Sequence, residues 1–411
     1  MRVAIISASE LNGGAARAAY RLHKSLLLAD IDSTMVVQKK CSDDFTVVTP
    51  SSRFKKLINE LRPALDHIIM KISGSKVLFS SSYLPFSGIV DKVNALNPDI
   101  VHLHWVAGGT VRIEDLGKIN APVVWNLQDM WPFTGGCHYT GDCTRYENNC
   151  GKCKILNSNK ENDLSKRVFK RKVEAYKQID NLTIVGVSRW ISGCAKSSFL
   201  FKKNRVLTIP NCFNTDLLKP IDKNIARDIF GIPKNKKVIL FAAMNPLDDP
   251  RKGAAQLFEA LNLLELQNVV FVVAGSSKPE EKLKLKYPVY FIPPLSDETS
   301  LPMMYNTADV VIVPSLQENL ANSIIESLSC GVPVIAFNIG GNADMIDHKV
   351  NGYLANNLDV KDMANGVTWA LDNDNYIEVS IKSREKVLSF FDRKIVVRQY
   401  INLYKEIVGG G

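Results

Sequence analysis

The stretch PSLQENLANSIIESLSCGVP, Pro314 to Pro333, decides how this chain is read. It follows the apolar run Asp309-Val310-Val311-Ile312-Val313 and leads into a second run, Val334-Ile335-Ala336-Phe337. Short β-branched runs of this kind predict buried strands. Between them lie a polar loop, a short helical segment and the stop signal Cys330-Gly331-Val332-Pro333. Strand, loop, helix, turn, strand is a βαβ unit, and open α/β sheets bind ligands at the carboxyl edge that this loop occupies.

Two carboxylates, Glu318 and Glu326, stand on this stretch with seven residues between them. A helix starting near Asn322 or Ser323 holds Glu326 one turn inside and leaves Glu318 on the loop. Its first N–H groups and positive dipole end suit a phosphate. Ser323-Ile324-Ile325-Glu326 also fits a capping box, in which the glutamate only closes its own helix.

Working outward, the same rhythm restarts twice. Met1 to Ser7 is a first strand, followed by Asn12-Gly13-Gly14-Ala15-Ala16 and an amphipathic helix to Leu28. Glycines there allow close approach of backbone to a ligand, and Gly14 is the candidate. The pattern is not GxGxxG, which demotes a dinucleotide oxidoreductase. A second start follows Lys237, with strand Val238–Ala243 and then Asp248-Asp249-Pro250-Arg251-Lys252-Gly253. Adjacent guanidinium and ammonium groups at a helix start form a diphosphate clamp. The other reading is a solvated charged turn.

Further strands are expected at Asp99–Trp105, Val123–Leu127, Leu182–Val187 and Val269–Ala274, with a final helix over about 384–407. His102 and His104 alternate onto one face, but with no third ligand at fixed spacing they read as a strand end. Residues 53–72 mix Lys and Arg with an apolar face, which fits an interfacial helix as well as one packed on its own core. Pro63 would kink it or start a second one.

Composition bounds the class. A chain of 411 residues, 46% hydrophobic and 23% charged, is sized for two or three domains. No apolar run reaches a membrane span, and Met1–Ser7 is too short for a signal peptide, so a cytoplasmic protein is expected. Lys+Arg exceed Asp+Glu by 9 over residues 1–200 and by none over residues 201–411. That asymmetry points to an anionic partner for the first half, a membrane surface or a phosphate-bearing acceptor, against a merely solvated basic surface.

Cys137, Cys143, Cys150 and Cys153 form C-x5-C-x6-C-x2-C within 17 residues. In a reducing compartment this spacing favours a structural tetrahedral zinc that pins a loop. Disulfides, free thiols and an iron–sulfur cluster stay open. Cys41, Cys194, Cys212 and Cys330 are scattered and read as small buried hydrophobes.

Three segments carry a family resemblance: the E-x7-E stretch, Lys252-Gly253, and Gln128 to Tyr139 (QDMWPFTGGCHY). Together they resemble the retaining glycosyltransferases of family 4, the group 1 transferases, over nearly the whole chain. The resemblance implies a GT-B fold: α/β, two facing Rossmann-like doubly wound domains with a C-terminal helix crossing back. The domains would be residues 1–208 (acceptor side, with the Cys-rich loop 137–153), 209–383 (nucleotide sugar), the crossover helix 384–408 and a tail 409–411. It implies that Glu318 lies against the donor sugar and Glu326 holds the ribose. Arg251, Lys252, Asn322, Ser323 and Gly14 would hold the diphosphate, and Tyr290 to Leu295 would contact the base.

The chain departs from the family at three places. Asn319-Leu320-Ala321-Asn322 stands where many members are glycine-rich, and Arg251 is displaced from the usual arginine. Gln128 stands where a histidine lies by the donor sugar; glutamine does not titrate but can hydrogen-bond a hydroxyl. Asp129 matches and would bind an acceptor hydroxyl or orient its neighbours, and His138 is a candidate to stand in for the missing histidine.

The expected activity is retaining transfer of a sugar from a UDP- or GDP-sugar to a glycan or lipid-linked acceptor. It implies synthesis of capsule, O-antigen or exopolysaccharide, without a cofactor for the transfer itself and without nucleic acid. Contact with the inner face of the cytoplasmic membrane, through the basic first domain, is part of that expectation. A GT-B nucleotide-sugar epimerase and a non-catalytic nucleotide-sugar binder are the alternatives.

Overall fold

The structure, a computed structural model, describes residues 1–50, 59–66, 68, 78–276, 285–295, 297 and 299–410. It divides into two compact units: Met1–Cys212 with Val396–Gly411, and Phe213–Ile395. The chain therefore changes unit between Cys212 and Phe213 and returns between Ile395 and Val396.

The first unit runs β1 (Arg2–Ser9), α1 (Gly14–Leu27), β2 (Asp32–Lys39), β3 (Val47–Val48), α2 (residues 59–66), α3 (Ile89–Ala95), β4 (Ile100–Leu103) and β5 (Val123–Leu127). It continues with α4 (Leu164–Tyr176), β6 (Leu182–Gly186), α5 (Arg189–Ser197) and β7 (Arg205–Thr208). Among the described residues these give one sheet in the order β3-β2-β1-β4-β5-β6-β7. Every pairing is parallel. A parallel sheet is covered on both faces, which is why β4, β5 and β6 are buried along their whole length. Helix starts follow local chemistry, as where Asp163 accepts from the Lys166 N–H and Ser188 from the Ile191 N–H.

The second unit runs α6 (Lys223–Phe230), β8 (Lys237–Ala242), α7 (Ala254–Asn262), β9 (Val269–Ala274), β10 (Val289–Ile292), α8 (Ser300–Asn306) and β11 (Val310–Val313). Then come α9 (Asn322–Ser329), β12 (Val334–Phe337), α10 (Asn342–Met345), β13 (Gly352–Ala355), α11 (Val360–Leu371) and α12 (Tyr376–Phe390). Its parallel sheet has the order β10-β9-β8-β11-β12-β13. Each sheet reverses its winding beside its first strand, between β1 and β4 and between β8 and β11. Crevices at such reversals are where doubly wound sheets take ligands. Two parallel, doubly wound α/β sheets are the Rossmann-like pair of the GT-B class.

The final helix, α13 (Arg393–Gly409), returns to the first unit. Val396, Val397, Tyr400, Leu403, Tyr404 and Ile407 enter the core beside Val3, Ile5 and Ile100. The single helix expected over 384–407 is two, α12 and α13, separated at Phe391 and Asp392. Asp392 is the reason: its Oδ1 accepts from the Lys394 N–H at 2.8 Å, and its other oxygen takes the Thr215 hydroxyl. The helix expected over 53–72 lies partly outside the described residues, and its described part is α2. Pro63 does not break α2, because Gln38 Nε2 donates to the Asn59 carbonyl at 3.0 Å. Proline leaves that carbonyl, four residues back, without its helical partner.

Candidate active site

In the second unit, three loops meet at the carboxyl ends of β8, β11 and β12. Gly253 ends a 3-10 turn, Pro250–Lys252, with φ +72°. A Cβ there would stand 1.9 Å from the Pro314 carbonyl oxygen. Leu316 N–H donates to the Arg251 carbonyl at 2.8 Å, stitching the same two loops. On the other side Gly340, φ +51°, lies so close to Glu318 that a Cβ would be 1.7 Å from its carbonyl oxygen. Glycine is required at both places, because left-handed backbone and sub-van-der-Waals approach coincide. Gly253→Ala is expected to destabilise this unit by about 2–3 kcal/mol. Urea denaturation checks this; an unchanged midpoint would contradict the close approach.

These contacts bring Lys252 to Glu318. Lys252 Nζ lies 3.2 Å from Glu318 Oε2, with the carboxylate largely buried and the ammonium about a quarter exposed. Arg251 goes elsewhere. Its Nη2 is 2.7 Å from Asp249 Oδ2 and its Nε 3.1 Å from Oδ1. Partial burial raises the Asp249 carboxyl, but hydrogen bonds from Arg251 outweigh it and hold the group below its ordinary range. The adjacent clamp is thus split into one ammonium beside Glu318 and one guanidinium fork closed on its own turn.

The loop from β11 runs into α9. Its N-cap is Ala321, no side chain caps it, and Asn322 and Ser323 form its first turn. The capping-box reading fails on this geometry, since Ser323 is inside the helix. Glu326, one turn further in, accepts at Oε2 from the buried Tyr305 hydroxyl at 2.9 Å. An uncapped helix start beside a buried carboxylate is a place for a polyhydroxylated, phosphorylated ligand.

In the first unit, the β1–α1 turn places Gly13, φ +93°, at the α1 N-cap and Gly14 as the first helical residue. No atom stands within 4 Å of a Cβ built on Gly13. Gly13 carries the positive φ, and Gly14, the candidate for close approach to a ligand, opens the helix. Gln128, just past β5, donates from Nε2 to Asn126 Oδ1 at 2.8 Å and Asn211 Oδ1 at 3.0 Å. Asn126 in turn donates to the Tyr400 hydroxyl of α13 at 2.5 Å.

Asp129 is held inward. Its Oδ1 accepts from the Trp131 N–H at 2.9 Å, and its Oδ2 from Trp105 Nε1 at 2.7 Å and His138 Nδ1 at 2.6 Å. Because the carboxylate only accepts, His138 Nδ1 carries a hydrogen, and its Nε2 meets the Ser80 hydroxyl at 3.0 Å. Serine, histidine and aspartate stand in the order of a hydrolase triad, but all three are buried. Asp129 and His138 share one buried network with Trp105, Trp131 and Ser80. Asp129→Asn is expected to cost about 2–3 kcal/mol, because it turns an amide toward buried donors. Guanidinium unfolding at neutral pH is the check, and a loss below 0.5 kcal/mol would count against the network.

Among the described residues no group of three or more His, Cys, Asp or Glu side chains could hold a metal ion. Cys137, Cys143, Cys150 and Cys153 are free thiols, the first and third buried and the others half-buried. Cys137 lies within electrostatic reach of Cys150 and Cys153, and Cys150 of Cys143. Burial pushes the Cys137 and Cys150 thiols up to about 12, which keeps them protonated. The buried Lys172 ammonium beside them donates to the Thr134 carbonyl at 3.1 Å and lies 3.7 Å over the Trp131 ring. His102 and His104 are likewise not a metal pair. Their rings lie 4.6 Å apart and buried, and His102 Nδ1 meets the Tyr404 hydroxyl at 2.6 Å.

Comparison with known proteins follows this division. Residues 222–387, within the second unit, match the family model of glycosyl transferases group 1. That segment carries Lys252, Glu318 and Glu326. Among curated relatives, D-inositol 3-phosphate glycosyltransferase 2 of Catenulispora acidiphila is 32% identical over 183 residues, 41% of this chain and 43% of that protein. The enzyme of Mycolicibacterium smegmatis is 28% identical over 184 residues, 42% of this chain and 41% of its own length. The chain thus spans less than half the length of these relatives. Solved structures match the whole chain. Sucrose-phosphate synthase from Thermosynechococcus elongatus has a TM-score of 0.71 at 17% identity, covering 100% of both chains. Anabaena Alr3699/HepE in complex with UDP and glucose has a TM-score of 0.66 at 16% identity, covering 98% of both.

The group 1 segment keeps its carboxylate pair where its sheet reverses. Sequence reasoning missed Tyr305, Gly340, Gly13 and the Ser80–His138 contact. Only the two glycines left a signal, each being part of a Gly-Gly pair at a strand end.

Proposed function

We propose that this chain is a retaining glycosyltransferase of the family 4 type, moving a sugar from a nucleoside-diphosphate donor to an acceptor hydroxyl. The observation that carries the reading is Lys252 paired with Glu318 beside the uncapped start of α9, inside the segment that matches the group 1 model. A donor diphosphate at the α9 N-terminus would draw the Lys252 ammonium off Glu318. The carboxylate is then left to accept from the sugar hydroxyls, so one exchange of partners both holds the leaving group and orients the sugar. Charge growing on the departing diphosphate meets an ammonium and the helix N–H groups already in place, the preorganised stabilisation that lowers such barriers. Glu326, fixed by Tyr305, takes the ribose hydroxyls. Catalysis in this scheme rests on protein groups.

The donor is a UDP- or GDP-sugar; UDP and glucose in the Anabaena neighbour support the uridine form. The acceptor is a glycan or lipid-linked glycan of a surface polysaccharide, taken by the first unit, whose net charge of +9 over residues 1–200 supports an anionic acceptor. The proposed place of work is the cytoplasm, a reducing compartment. Incubation with UDP- and GDP-sugars and a glycan acceptor, followed by NMR of the product, tests the reading. Product with the donor's anomeric configuration is expected. Epimerised sugar without acceptor consumption would transfer the chain to the epimerases, and nucleotide binding without turnover would make it a binder.

A further inference from the structure

The segment that carries Cys137, Cys143, Cys150 and Cys153 is shaped around their sulfurs. Each of the four is in electrostatic contact with at least one of the others: Cys137 with Cys150 and Cys153, and Cys150 with Cys143 and Cys153. The backbone enforces this closeness. A Cβ built on Gly135 would stand 2.8 Å from Cys150 Cβ, so the turn leading into Cys137 lies directly on Cys150. Between Cys150 and Cys153 the chain turns so tightly that Gly151, φ +142°, and Lys152, φ +45°, both have positive φ. A lysine in left-handed backbone is uncommon. It is held there by its N–H on the Lys160 carbonyl at 3.0 Å and by the Cys153 N–H on Asp163 Oδ2 at 2.8 Å.

The sulfurs are also met by donors. Cys150 Sγ faces the backbone N–H of Gly135, and Cys153 Sγ faces those of Ile155 and Leu156. Backbone N–H groups aimed at sulfur favour the thiolate, and such outer partners orient thiolates on a metal. A disulfide sulfur, which carries no charge, gains less from them. The charge balance points the same way. Lys172 is fully buried, and its hydrogen bonds go to the carbonyls of Trp131 and Thr134. Its negative neighbours are Asp129 and the sulfurs of Cys137 and Cys150 once these ionise. An ammonium buried among neutral groups is costly. Four thiolates around a divalent cation keep a net negative charge, which would lie beside it.

We propose that Cys137, Cys143, Cys150 and Cys153 bind one structural zinc ion. Zinc takes four thiolates in a tetrahedron at about 2.3 Å, and a closed set of this kind leaves no position for water or substrate. Among the described residues the sulfurs do not stand as a finished ligand set. Binding therefore includes turning them about their Cα–Cβ bonds toward a common point and displacing their protons. The ion ties residues 137–153 together. Through Cys137 it also steadies the adjacent His138, whose ring meets Asp129 and Ser80. It thus fixes the loop after β5 without taking part in sugar transfer, and the inference stands on the first unit alone.

The test is metal analysis of the purified full chain after reduction, reconstitution with zinc chloride and desalting. One zinc per chain is expected, and cobalt in its place should show the thiolate-to-metal charge-transfer bands of a tetrahedral sulfur site. Titrating wild type with an organomercurial beside a zinc-sensitive dye should release the ion as the thiols react, a readout that needs no variant to fold. Cys150→Ser/Cys153→Ser should lower zinc retention roughly tenfold or more, at least the loss that follows removal of an outer-shell partner. Cys41→Ser, at an exposed cysteine outside the cluster, should leave it unchanged. Stripping the zinc with a chelator should speed proteolysis within residues 137–163. Three results would overturn the proposal: wild type that keeps no zinc after reconstitution, a folded double variant that keeps as much as wild type, or a disulfide between any two of the four in protein alkylated at cell lysis.

Discussion

Lys252→Ala is expected to lower kcat for sugar transfer roughly a hundred- to a thousandfold, the range for removing one preorganised charge from a transition state. The size follows from the position of the residue. Lys252 is tied down by Gly253 against Pro314 and by the Leu316–Arg251 backbone bond, so its ammonium is aimed before any ligand arrives. Among the described residues its ion-pair partner is Glu318, 3.2 Å away. Removing the lysine leaves a largely buried carboxylate facing an incoming diphosphate, so donor affinity falls as well. Arg251→Ala removes a guanidinium already closed on Asp249 and should cost less than tenfold. Steady-state kinetics of the two variants distinguish the roles, and equal losses would contradict the division between adjacent cations.

The second large effect is acid instability of the first unit. His23, His102 and His104 are buried, and burial lowers all three: His23 to about 4, His104 to about 3, and His102 well below its ordinary value. In the unfolded chain each takes a proton near pH 6.5. Below that pH the unfolded state binds up to three protons that the native state refuses, so stability falls as pH falls. The slope is roughly 4 kcal/mol per pH unit once all three titrate, at about 1.4 kcal/mol per proton. A domain with ordinary stability of about 5–15 kcal/mol does not survive far below pH 5 on that slope. Chemical denaturation from pH 7.5 to 4.5 should show the first unit failing before the second. His104→Leu should be near neutral at pH 7.5, since neither ring nitrogen has a protein partner. It should become stabilising as pH falls, flattening the slope by about one proton. Parallel curves for wild type and variant would refute the assignment.

Much of this was legible in the chain itself. The run 309–313, the break at 330–333 and the run 334–337 forced a βαβ unit, because period and β-branching leave few alternatives in so short a space. Glu318 and Lys252 were legible too, since each stands on a loop leaving a strand of the same sheet. What sequence could not show was direction. Adjacent Arg251 and Lys252 look like one clamp, yet in a 3-10 turn successive side chains point about 120° apart, and the two part company. Ser323 looks like a cap until the helix is seen to begin at Asn322. The Ser80–His138–Asp129 network joins residues up to 58 apart in sequence, and no local pattern predicts it. The burial of α2 was hidden for the opposite reason: its pattern looked amphipathic, yet Asn59, Arg62 and Asp66, not Leu61 and Leu65, form the buried side.

The central claim is that the group 1 segment holds a nucleoside-diphosphate sugar between Lys252, Glu318 and the start of α9. Calorimetric titration of UDP, GDP, ADP and their glucose or mannose conjugates into wild type, Lys252→Ala and Glu318→Gln tests it most directly. One nucleotide should bind wild type and lose roughly tenfold or more in Lys252→Ala, as a buried charge contact is removed. Glu318→Gln should keep the bare nucleotide and lose only the added affinity of its sugar. Undiminished binding by Lys252→Ala, or no binding of any nucleotide to wild type, would contradict the account.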